Sequence, residues 1–195
     1  MMRTFMLSSL IVVGVLMNVQ VVSAGERPAS MLSNTCAGCH GTMGASAGYS
    51  IPVLAGLPRE YFRRAMQQYK NDERYSTIMG RIARGYSNAE IEAMADFFEK
   101  QQWVSATSVL DPKMIAQGKK IHKKKCARCH LANGQYTEYR LPRIGGQWSD
   151  YLVMHLKNAK VPAYKQPQPE LMKESIDGLT EGQLAALAQF YAAQQ

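Results

Sequence analysis

Apolar positions recur three and four residues apart over Arg59–Lys70 and again over Ser149–Ala159, the spacing of one face of an α-helix. Ser87-Asn88-Ala89-Glu90 announces a third helix: an N-cap hydroxyl is followed three residues later by a carboxylate that can reach back to it. Ile91, Met94, Ala95 and Phe98 then follow at helical spacing. Thr180-Glu181-Gly182-Gln183 has the same form and leads into Leu184, Leu187, Ala188 and Tyr191. Shorter helices are expected just before Cys36 and over Met114–Lys125. Ser105–Pro112 gathers Ser, Thr, Asp and Pro and reads as a linker. No segment alternates as a strand does, so the expected class is all-α.

The pattern repeats. Pro52-Val53-Leu54-Ala55-Gly56 and Tyr61-Phe62 recur as Pro142-Arg143-Ile144-Gly145-Gly146 and Tyr151-Leu152, 90 residues on. Further along the offset becomes 93, pairing Met79 with Met172, Gly85 with Gly178, and Phe97-Phe98 with Phe190-Tyr191. The three extra residues fall near Val161–Pro169, a loop where insertion is tolerated. The expectation is a duplicated domain, residues 25–104 and 113–195 joined by 105–112.

Cys36-Ala-Gly-Cys39-His40 and Cys126-Ala-Arg-Cys129-His130 stand at the same offset of 90 and use all four cysteines of the chain. C-x-x-C-H is the attachment signature of c-type haem: each thiol adds to a vinyl group, and the histidine sits beneath the iron. A structural zinc wants four ligands, and each motif offers at most three in five residues. A thioredoxin-like pair is expected near a βαβ pattern, which neither motif has. The motifs therefore predict two covalently bound haem c groups, on Cys36 and Cys39 and on Cys126 and Cys129. The fold expected is two tandem class I-type cytochrome c domains, all-α and related by internal duplication.

His40 is the only histidine of the first half, so its iron needs a different sixth ligand, and Met/His pairing is common in electron-transfer cytochromes. Met66 and Met94 lie on apolar helix faces and read as core, while Met43 is too near His40 to reach the opposite haem face. Met79, in the loop-like Ser-Thr-Ile-Met-Gly stretch, obeys the repeat and is the expected ligand. The second half holds His122, His130 and His155, which leaves a bis-histidine centre open. His122 and His155 read as partly exposed helix residues, and the repeat favours His130 with Met172.

Met1–Ala24 carries Arg3, an apolar run over Leu7–Met17 and a Val22-Ser23-Ala24 ending, the form of a cleaved signal peptide. A membrane anchor needs about 20 mostly apolar residues, and Asn18 and Gln20 interrupt this run. Export to the periplasm follows, with no stable membrane insertion after cleavage. Charge is uneven: nine Lys and Arg against eight Asp and Glu over 25–106, but thirteen against seven over 111–195. Lys119, Lys120, Lys123, Lys124 and Lys125 supply much of that excess. They read either as a solvated helix face or as a docking patch for an acidic redox partner. Nucleic acid is discounted in the periplasm.

Cys-Ala-Gly-Cys-His-Gly-Thr from Cys36, Ser76-Thr-Ile-Met-Gly-Arg-Ile-Ala-Arg-Gly-Tyr-Ser87 and the ending Phe190-Tyr-Ala-Ala-Gln-Gln195 resemble the cytochrome subunit of flavocytochrome c sulfide dehydrogenase. Gly146-Gln-Trp148 before Tyr151-Leu152 is similar to that subunit's second domain, whereas Leu131–Arg140 and Pro162–Pro169 match less well. The resemblance implies a partner flavoprotein carrying FAD and a redox-active disulfide, which oxidises sulfide. Electrons would enter at the first haem domain and leave to a soluble cytochrome c. It also implies that Cys36, Cys39, His40 and Met79 hold one haem, and Cys126, Cys129, His130 and Met172 the other. The chain itself has no G-x-G-x-x-G dinucleotide motif and no cysteine to spare for sulfide, so it reads as an electron conduit without a catalytic site. A free-standing dihaem shuttle to a terminal oxidase is the main alternative. A haem enzyme in its own right, such as a peroxidase or a thiosulfate-oxidising cytochrome, requires an open iron position that Met79 and Met172 argue against.

Overall fold

The computed structural model describes residues 27–165 and 167–195; the expected signal peptide lies outside them. The first half runs α1 (Ala29–Asn34), α2 (Ala37–His40), α3 (Arg59–Lys70), α4 (Met79–Ala83) and α5 (Asn88–Glu99). The second runs α6 (Pro112–Ile121), a π-helical turn (His122–Cys126), α7 (Leu131–Gly134), α8 (Ser149–Ala159), α9 (Glu170–Asp177) and α10 (Glu181–Ala192). Extended pairing among the described residues amounts to one isolated bridge, Glu138 to Leu141. The bounds of α3 and α8 are those the apolar period predicts. Both capping boxes form, Ser87 with Glu90 and Thr180 with Gln183.

The duplication is written into the backbone. The Gly44 carbonyl accepts from the Leu54 and Ala55 amides, and Gly134 accepts from Ile144 and Gly145, all 90 residues on. Gly44 and Gly134 sit at φ 81° and 85°, where a side chain would be strained, and a Cβ on either would fall within 2.8 Å of a neighbouring atom. The change of offset is visible too. The Gly56 amide donates to Phe98 at 2.8 Å and Gly146 to Tyr191 at 2.9 Å, so a 90-residue step at the donor meets a 93-residue step at the acceptor.

Each half closes over its own apolar core. Leu32, Phe62, Met66, Ile91, Met94 and Phe98 fill the first. Leu152, Leu156, Ile176, Leu184, Leu187 and Phe190 fill the second. In the second half α6 crosses α10 at Gly118, where a Cβ would lie 2.1 Å from the Ala186 carbonyl oxygen. That close approach brings His122, one turn on, against α10.

A third core joins the halves, made of Val53, Ala55, Ala106 and Trp148. The Gln147 side chain accepts from the Val53 amide at 2.9 Å and donates to the Val53 carbonyl at 3.3 Å. The Trp148 indole donates to Ser46, and its ring meets Tyr49 edge-on. The joining segment is packed into this seam: Ala106 is buried and its amide donates to Gly146. Asp111 caps α6, so Pro112 opens that helix instead of closing the link.

Candidate haem sites

Cys36 and Cys126 each precede a single helical turn. The His40 amide donates back to the Cys36 carbonyl at 2.8 Å, and His130 to Cys126 at 2.9 Å. That turn puts both thiols and the histidine of a motif on one short stretch of backbone. Cys36 and Cys126 are half-buried and rest against their cores, while Cys39 and Cys129 are exposed, and none of the four is tied up in a disulfide. One sulfur of each motif therefore faces inward and the other lies at the surface.

His40 is only 8% exposed, and its Nδ1 lies 2.8 Å from the Pro52 carbonyl. The carbonyl can only accept, so Nδ1 carries the proton and Nε2 keeps its lone pair for a metal. Burial pushes the His40 pKa down, partly opposed by that hydrogen bond, which favours the neutral, ligating form. Burial lowers His130 as well, helped by His122. Among the described residues the His130 ring makes no hydrogen bond; its neighbour is the Tyr191 ring, centroids 6.1 Å apart.

Met79 is the first residue of α4, a helix start where the local sequence reads as a loop. It packs on the first core alongside Cys36. Met172 lies in the first turn of α9 and packs on the second core alongside Cys126. Each methionine thus meets the same core as the inward cysteine of its half. Met66 and Met94 are core residues, and Met43 is 47% exposed.

The other two histidines are engaged elsewhere. His122 is 5% exposed, not the partly exposed helix residue its lysine-rich neighbours suggest. It occupies the place that Leu32 fills in the first half, with Nδ1 3.0 Å from the Tyr191 hydroxyl. His155, half-buried, stacks on Tyr151, and its Nε2 lies 3.1 Å from the Gln168 amide nitrogen. Burial and then the nearby Arg74 push its pKa down to about 3.

The sequence reading missed Gln147, Trp148 and Arg74 as contacts between the halves. A signal for the first two existed, since Gln147 and Trp148 stand where the repeat has Leu57 and Pro58. The duplication breaks at the seam it builds.

Residues 26–102 and 115–192 each match the cytochrome c family. The chain belongs to that family. A 73-residue stretch, 37% of this chain and 66% of the relative, is 45% identical to the cytochrome subunit of sulfide dehydrogenase of Chlorobaculum tepidum. The cytochrome c-552 of Acidithiobacillus ferridurans is 30% identical over 168 residues, 79% of this chain and 73% of that one. Reduced cytochrome c4 of Pseudomonas stutzeri superposes with a TM-score of 0.74 at 22% identity, over 86% of this chain and 98% of that chain. The two cytochrome c domains carry two covalently bound haem c groups, on the motifs at Cys36/Cys39 and Cys126/Cys129. The buried, neutral His40 with a free Nε2 fits that group. The protein is a dihaem electron-transfer cytochrome. No helix of the described residues is long and apolar enough to cross a membrane.

Proposed function

We propose that this cytochrome is the electron-transfer subunit of a sulfide dehydrogenase, accepting electrons from an FAD flavoprotein and passing them to a soluble cytochrome c. The observation that carries this reading is the 45% identity to a cytochrome subunit of sulfide dehydrogenase. When bound, haem supplies one-electron exchange between ferrous and ferric iron. This chain's part is to hold the metal ligands and exclude others. His40 and His130 would each offer the iron a ring nitrogen, with His40 oriented by the Pro52 carbonyl. Met79 and Met172 would each offer the iron a thioether and leave no position open to small molecules. The domain limits that go with this reading are 25–104 and 113–195, with 105–112 between them, and Met1–Ala24 is removed on export to the periplasm.

The second half favours a transient acceptor. Lys119, Lys120, Lys123, Lys124, Lys125 and Arg128 are all exposed, and none has a carboxylate partner among the described residues. Unpaired cations beside the second haem motif raise encounter rates with an acidic protein. A free-standing shuttle is the second reading, supported by the likeness to cytochrome c4 over 86% of this chain. The experiment is to purify the holoprotein natively and add sulfide with and without the host's candidate flavoprotein. Reduction of both haems only when the flavoprotein is present is the expected result. A lone cytochrome that stays oxidised in that mixture would move the assignment to the shuttle.

A further inference from the structure

A half-open cavity of about 330 Å³ lies where the segment around α4 meets the loop before α9. Its walls carry Arg74, Arg81 and Arg84 from the first half and Lys165 from the second, against a single carboxylate, Asp72. Asp72 is engaged by Arg84 at 3.1 Å. Arg81 and Lys165 are exposed and have no carboxylate partner among the described residues. The Tyr75 amide donates to the Lys165 carbonyl at 2.9 Å, and the Tyr75 and Tyr164 rings stack at 3.8 Å, so the two walls are tied together.

Arg74 is the unusual member. It is only 8% exposed, yet its Nε–H has no hydrogen-bond partner. Its guanidinium lies over the Tyr69 ring at 5.2 Å and the Tyr61 ring at 5.9 Å, with a long bond of 3.4 Å to the Tyr61 hydroxyl. Rings stabilise the charge but accept no strong hydrogen bond. A buried guanidinium without an anion is costly, since its donors need charged acceptors. No carboxylate of the chain reaches it among the described residues.

We propose that this cavity is an anion site shared by the two halves, in which Arg74, Arg81 and Lys165 grip a carboxylate or a small oxyanion. Planar guanidinium donors suit either shape. The anion has two possible sources of the same chemistry: a propionate of this protein's own haem, or a free oxyanion such as sulfate. Gly80, next in sequence to Met79, lines the cavity, so an anion here sits beside the segment assigned to the first iron. Its occupant ties the first half to Lys165 of the second.

The test uses the oxidised holoprotein, titrated calorimetrically with sodium sulfate against sodium chloride at matched ionic strength. Both haem potentials are followed by spectroelectrochemistry in the wild type, Arg74→Gln, Arg81→Gln and Lys165→Gln. A free oxyanion predicts one saturable sulfate, weakened about tenfold by losing one charge-assisted bond in Arg81→Gln or Lys165→Gln. A propionate predicts no sulfate binding and a lowered potential at one haem in Arg74→Gln, because removing a nearby cation favours the more positive ferric state. Lys165→Gln then lowers the same potential by less. Arg81 and Lys165 are exposed, so their variants decide the matter even if Arg74→Gln does not fold. No sulfate heat together with unchanged potentials in every folded variant overturns the proposal.

Discussion

In the first half four of the nine cations, among the described residues, hold a carboxylate. Arg27 holds Glu90, Arg59 holds Glu92 and Asp96, Arg63 holds Glu60 and Arg84 holds Asp72. The second half has one internal pair among the described residues, Lys157 with Glu181, and sends Arg140 across to Glu60 at 3.6 Å. Its five clustered lysines face solvent unpaired. The histidines of the two motifs differ too: His40 is fixed by a carbonyl, and the His130 ring meets Tyr191 and makes no hydrogen bond among the described residues. Two copies of one plan have therefore diverged in surface charge and in what holds the histidine ring, while keeping their helices and turns. A nearly charge-balanced half suits a partner bound for long periods. A bare cationic face suits brief, salt-sensitive encounters.

The ligand assignment offers the largest test of this comparison. Met79→Ala and Met172→Ala should each convert one haem of the two from low-spin to high-spin, read by electron paramagnetic resonance. An unchanged second site in Met172→Ala would mean that the halves differ at the iron as well as at the surface. The seam comes next. Gln147→Ala leaves the amide and carbonyl of Val53 buried and unpaired, at a cost of about 3 kcal/mol. Urea unfolding should shift accordingly, and a loss under 0.5 kcal/mol would show that the halves are held by other contacts.

Per pH unit, a smaller effect is expected from acid. The unfolded chain binds a proton at His155 near pH 6.5, whereas the folded protein resists it down to about 3. The contribution is whole above pH 6.5 and is lost as pH falls towards 3, by about 1.4 kcal/mol per pH unit. Replacing His155 by Gln should flatten the stability profile over that window, and equal slopes in both proteins would refute the assignment. The smallest effect on the fold belongs to the lysines. Reversing Lys123, Lys124 and Lys125 to Glu should slow association with an acidic acceptor roughly tenfold at low salt and leave stability within about 0.5 kcal/mol. Rates that ignore both charge and salt would identify the cluster as a solvated helix face.

The parts of this protein that depend on neighbours in sequence were legible from sequence. The capping boxes at Ser87 and Thr180, the limits of α3 and α8, and both C-x-x-C-H turns are closed by atoms a few residues apart, so local pattern suffices. The duplication was legible as well, because equal offsets in sequence become equal hydrogen bonds at Gly44 and Gly134. What the tertiary structure decided is everything that spans the seam or a helix crossing. Burial of His122 follows from Gly118 letting α6 approach α10, which depends on residues about 70 positions away. Gln147 meets Val53 across 94 residues, and Arg74 draws its surroundings from both halves. Such contacts are chosen by how two finished cores fit against each other, and no periodicity along either chain segment encodes that fit.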